Sequence, residues 1–149
     1  MPNALTIDLE IEIEAPPEKV WEVFSSAERM HAWMSMQGYH PKVGSEYVMR
    51  VNAPDGVFDF IGEVTVFDPP NELAFTWIQQ EVGKQPWPVS TLVSIQLQPI
   101  DSGTHVRLVH SGFEALAAEI AQQEYEGHIM GWEQSQALAE LKQLVESQN

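Results

Sequence analysis

His110 is the residue in this sequence best placed to act as an acid or a base. It stands in phase with Val106 and Leu108 on a period-two run, so its imidazole shares their inward face. His105 lies an odd number of positions earlier, faces the other side, and cannot chelate with it. None of the five histidines falls in a His-x-x-His or His-Glu-x-x-His spacing, and there is no cysteine. A second imidazole, His128, shares a helical stripe with Tyr125, Ile129 and Trp132. Asp59 and Glu63 are in phase with each other but out of phase with Phe58 and Phe60. Both therefore face water unless a bulge at Gly62 turns Glu63 inward. Ser111 follows His110, and neighbouring side chains on a strand point apart. No Gly-x-Ser-x-Gly elbow, phosphate-cradling glycine loop or dinucleotide fingerprint occurs. The expectation is no catalytic residue, no metal and no cofactor.

What the pattern does collect is apolar and aromatic surface. Trp33, Met34, Tyr47, Met49, Phe58, Phe60, Phe75, Trp77 and Trp132 gather on the presumed inner face together with His110 and His128. Aromatic rings and pliable methionines suit a pocket for a flat or flexible hydrophobic molecule, with Tyr47, His110 and His128 available to orient it. These eleven residues are the candidate ligand-binding set.

The elements that must position them follow from periodicity. Residues 5–14 alternate without a fault between apolar and polar, as an antiparallel strand with one wet face does. Ala15-Pro16-Pro17 ends that strand, and Pro17 with Glu18 opens a helix carrying Val20, Trp21 and Phe24. After Ser25-Ser26 a second short helix spans 27–34. Five strands follow, separated by Ala53-Pro54-Asp55-Gly56, Asp68-Pro69-Pro70-Asn71, the loop 81–88, and Asp101-Ser102-Gly103. Residues 114–147 lack proline and read as one long helix. It bears two apolar stripes, the aromatic one above and a second through Met130, Ala137, Leu141, Leu144 and Val145. Two stripes require two burial partners, a second copy of the chain serving as well as an internal one. Gly127 and Gly131 bracket the aromatic stripe and would let a neighbour approach closely.

An antiparallel sheet rich in large apolar side chains has only that helix to cover it. The fold class is therefore α+β of helix-grip type: a curved six-stranded antiparallel sheet around a long C-terminal helix, with two short helices after the first strand. One helix is too slim to fill the concavity, so a cavity is expected, its mouth rimmed by the loops 37–42 and 81–88.

The chain of 149 residues reads as one domain. Its formal charge of −15, without a Lys/Arg cluster, argues against nucleic acid and anionic membranes as partners. A solvated acidic surface accounts for it, and an acidic partner-binding face is the alternative. The opening Met1-Pro2-Asn3-Ala4 has no basic leader and no stretch reaches membrane-spanning length, which with the missing cysteines fits the cytoplasm.

The opening strand followed by Ala15-Pro16-Pro17-Glu18-Lys19-Val20-Trp21 resembles the SRPBCC (START/birch-pollen-allergen-like) superfamily. Glu72-Leu73-Ala74-Phe75-Thr76-Trp77, residues 104–113 ending in His110-Ser111-Gly112-Phe113, and Gly131-Trp132 with Leu138 and Leu141 resemble, within it, the family named for the activator of the ninety-kilodalton heat-shock chaperone's ATPase. The resemblance covers nearly the whole chain and implies the helix-grip fold in a single domain over 1–149. The superfamily holds lipid and hormone binders, polyketide cyclases and chaperone activators, so the fold does not choose among them. The eukaryotic co-chaperones carry an additional N-terminal docking domain, whereas this sequence begins at the fold. The resemblance thus implies a stand-alone binder of a hydrophobic small molecule, lipid-like or aromatic. The alternatives are a cyclase or hydrolase using His110 or His128, and a module that contacts a chaperone or self-associates as a homodimer.

Overall fold

The computed structural model describes residues 5–147; the N-terminal tetrapeptide read above lies outside them. Six strands form one antiparallel sheet: β1 (Ile7–Ile13), β2 (Glu46–Ala53), β3 (Gly56–Asp68), β4 (Glu72–Glu81), β5 (Thr91–Ile100) and β6 (Gly103–Ser111). Their spatial order is β1-β6-β5-β4-β3-β2, so the first two strands in sequence occupy opposite edges. Two short helices span that distance, α1 (Pro17–Phe24) and α2 (Ala27–Met34). Pro17 stands in the first turn of α1, where its missing N–H is no loss, and the Ser26 hydroxyl caps α2 by accepting the Arg29 N–H at 3.1 Å. The alternating apolar positions set the register. Ile7, Leu9 and Ile11 on β1 face His110, Leu108 and Val106 on β6. Among the described residues no helix is long and apolar enough to cross a membrane.

The bulge in β3 does not fall at Gly62. Pairing to β4 lapses at Gly62 and Glu63 with the register intact, Ile61 opposite Ile78 and Val64 opposite Phe75. A Cβ on Gly62 would stand 1.9 Å from the Thr76 carbonyl oxygen, so only glycine admits this approach. The register shift comes between Val64 and Val66, which leaves Glu63 exposed and not turned inward.

The expected long C-terminal helix is present over 118–146 and is broken once. After a 3-10 turn (Phe113–Ala115), α3 runs Ala118–Ser135 and α4 runs Ala137–Glu146. Gln136 between them is left-handed, φ 53° and ψ 39°. This break answers the problem of two stripes on one rod. The buried His128 and Trp132 of α3 point at the concave sheet, while Ala137, Leu138, Leu141 and Val145 of α4 are buried where that helix packs on β1, α1 and α2. Met130 falls outside both faces and is 56% exposed. Beyond the helix's own backbone, no atom of the described residues lies within 4 Å of a Cβ position on Gly127 or Gly131, so no neighbour among them uses the space they leave.

Candidate functional site

Beneath α3 the sheet's concave face is packed solid. Trp77 of β4, His110 of β6, Phe113, and His128 and Trp132 of α3 form one ring cluster, with centroids 4.6–6.0 Å apart where they touch. Each imidazole is locked by an indole. Trp132 Nε1–H donates to His110 Nδ1 at 3.1 Å. That leaves the His110 proton on Nε2, which lies 2.8 Å from Thr91 Oγ1, and the Thr91 hydroxyl donates onward to the Trp77 carbonyl at 3.0 Å. Trp77 Nε1–H donates to His128 Nε2 at 3.1 Å, so His128 carries its proton on Nδ1, 2.7 Å from the Glu124 carbonyl. Both rings are neutral. Burial, and then the nearby His128, hold His110 well below the usual imidazole range. Burial also lowers His128, and the Glu124 carbonyl offsets part of that.

The loop 81–88 seals this cluster and does not rim a mouth. Its Trp87 is buried against Phe113 and His128, with Nε1–H donating to Glu124 Oε2 at 3.3 Å. Burial raises the pKa of that carboxyl, and the Trp87 bond partly opposes the shift. The loop 37–42 lies along the β2 edge instead, where Gln37 pairs with Val48 and the Tyr39 hydroxyl donates to the Phe24 carbonyl at 2.6 Å.

Open space remains at one side of the cluster, where α2 ends, the β2–β3 hairpin curls, and α3 breaks into α4. A cleft of about 370 Å3 lies there. Trp33 and Met34 of α2, Met49 of β2, Phe60 of β3, Trp77 of β4, and His128 and Trp132 of α3 line it. Phe60, Trp77 and Trp132 form a tilted stack, with centroids 4.7 and 5.6 Å apart. The third indole, Trp33, donates to the Ala137 carbonyl at 2.7 Å and ties α2 to the start of α4. All three indole N–H groups are thus committed inside the protein, and the cleft is lined by aromatic rings, methionine chains and aliphatic surface.

Four candidate residues lie outside the cleft. His110 sits behind the two indoles with no exposed surface. Phe75 is fully buried, and Tyr47 packs edge-on against it at 5.3 Å while donating to the Thr76 carbonyl at 2.6 Å. Burial pushes the Tyr47 phenol far above its ordinary range. Phe58 is half-buried farther along the hairpin, opposite Val51 and Glu81.

Seven further residues complete the lining: Ser35, Arg50, Val51, Gly131, Ser135, Ala137 and Glu140. Val51 is visible in sequence as the residue in phase with Tyr47 and Met49. Arg50 is out of phase with them and lines the cleft from β2, an edge strand. The others come from helix ends, and the two non-glycine residues with positive φ among those described, Ser35 (57°) and Gln136 (53°), both stand at these ends. Arg50 is held by Asp59, with Nε–Oδ1 2.8 Å and Nη2–Oδ2 2.9 Å. No group of three or more potential metal ligands occurs among the described residues.

The family described as Activator of Hsp90 ATPase homolog 1-like protein matches residues 14–146. The chain is similar to the solved structure of protein MLL2253 from Mesorhizobium loti, with 28% identity, 97% of this chain and 98% of that one covered, and a TM-score of 0.73. Protein CV1439 from Chromobacterium violaceum gives 26% identity over 98% and 99%, with a TM-score of 0.74. Protein Ms6760 from Mycobacterium smegmatis, at 17% identity over 99% of both chains and a TM-score of 0.75, shares the fold. No curated protein matches significantly.

Proposed function

The chain belongs to the Activator of Hsp90 ATPase homolog 1-like family, of SRPBCC type, and from that premise we propose that it binds a small, mainly apolar molecule in the cleft beside the α3–α4 break. One observation carries the reading: the fold leaves about 370 Å3 unfilled beside indole rings whose N–H groups are already satisfied. That volume lies near the lower end of the roughly 300–1,000 Å3 typical of small-molecule sites. A compound of one or two rings, or a short chain, suits it better than a full lipid. The chain binds this molecule without turnover. His128 is the cleft's imidazole, and both its nitrogens are engaged, so taking a proton would break its bond from Trp77. The proposed setting is the cytoplasm, which a cysteine-free chain fits.

Gly131 supplies the test. It lines the cleft and faces open space, so Gly131→Leu grows into the void without a clash and replaces a poor helix former with a good one. The wild-type chain should gain thermal stability from members of a panel of small aromatic and short-chain compounds, by mass action. Gly131→Leu should stay folded and lose that response. A response that survives in Gly131→Leu, or no response to any compound, contradicts the proposal.

A further inference from the structure

The charge class of the ligand can be read from which ionic groups at the cleft are free. Two charged residues line it, Arg50 and Glu140. Arg50 is neutralised by its two-bonded pairing with Asp59 and has little left to offer an anion. The Glu140 side chain, near the start of α4, has no hydrogen-bond or ion-pair partner among the described residues. The walls between them carry the rings of Phe60, Trp77 and Trp132, and the two indoles turn their N–H edges to internal acceptors, His128 and His110. A ring face attracts positive charge, most strongly when the face is indole and the site is partly dry. The whole molecule adds the same sign, at −15 formal charge.

We infer that the cleft prefers a hydrophobic organic cation, an aryl or alkyl chain ending in an ammonium group. Its apolar part would fill the space beside Trp77, while the ammonium lies between indole faces and the Glu140 carboxylate. This rests on the binding role proposed above and adds to it the sign of the ligand's charge. The cation keeps contact with water, because Ser35, Gly131, Ser135 and Glu140 at the mouth are all exposed.

Three matched probes separate this inference from the one beneath it: 3-phenylpropyl-trimethylammonium, 3-phenyl-1-propanol and 3-phenylpropanoate, titrated calorimetrically at low salt. The ammonium should bind about tenfold more tightly than the alcohol, and the carboxylate most weakly. In Glu140→Gln the advantage of the ammonium should shrink about threefold while the alcohol's affinity stays put. Added salt should weaken the ammonium alone. An alcohol or carboxylate that binds as tightly as the ammonium overturns the charge preference and leaves the cleft's binding role standing. If all three fail to bind, both fall.

Discussion

Both interior imidazoles give a proton on one nitrogen and receive an indole N–H on the other, which is why neither reads as a base despite an inward position. The consequence is a pH dependence of stability. The folded pKa of each is depressed below the ordinary value of about 6.5, so below that pH the unfolded chain takes up protons the folded one refuses. Stability is complete above about pH 6.5 and falls as pH drops beneath it. Urea midpoints between about pH 7.5 and 5.5 should show that fall, and His110→Gln should have a shallower one. An equal slope in the variant would mean that His110 is not held neutral. Two tryptophans give a second contrast. Trp132→Phe strands His110 Nδ1 without its donor, whereas the Trp21 indole N–H is buried with no partner among the described residues, its ring edge-on to Phe24 and Phe67 at 5.2 Å each. Trp21→Phe therefore gives up no hydrogen bond, and by denaturant titration should cost about 1–3 kcal/mol less than Trp132→Phe.

The elements that alternate or recur regularly were legible in the sequence, because burial enforces their period: Ile7 to Ile13 on β1, Val93 to Leu97 on β5, Val106 to His110 on β6. The break at Gln136 was not. Glutamine carries no stop signal, and the left-handed turn there is imposed by two packing surfaces that a single straight rod could not reach together. That hidden break is also why Ser135, Ala137 and Glu140 escaped notice as cleft residues, while Trp33, Met49, Phe60, Trp77 and Trp132 did not. Tyr47 and Phe75 were read into the pocket because phase gives the face of a strand but not the depth beneath it. A left-handed glutamine costs about 1 kcal/mol that glycine avoids. Gln136→Gly should accordingly raise the melting temperature by a few degrees. A drop would mean that Gln136 contributes more than its backbone geometry.

At the scale of the whole molecule the interior has two compartments. One is a solid cluster of rings and imidazoles sealed by Trp87; the other is the cleft left where two helices diverge from the curled β2–β3 hairpin. A slim helical cover does not fill a bent sheet, and this chain spends part of the surplus volume on aromatic packing and leaves the rest at one side. Its five tryptophans sample both compartments. Trp33, Trp77 and Trp132 line the cleft, while Trp21 and Trp87 lie away from it. The most direct measurement follows the five indole N–H resonances in a 15N-edited NMR titration with a compound that stabilises the protein. Those of Trp33, Trp77 and Trp132 should shift while those of Trp21 and Trp87 hold still; movement confined to Trp21 and Trp87, or spread equally over all five, would contradict a binding site at the helix break.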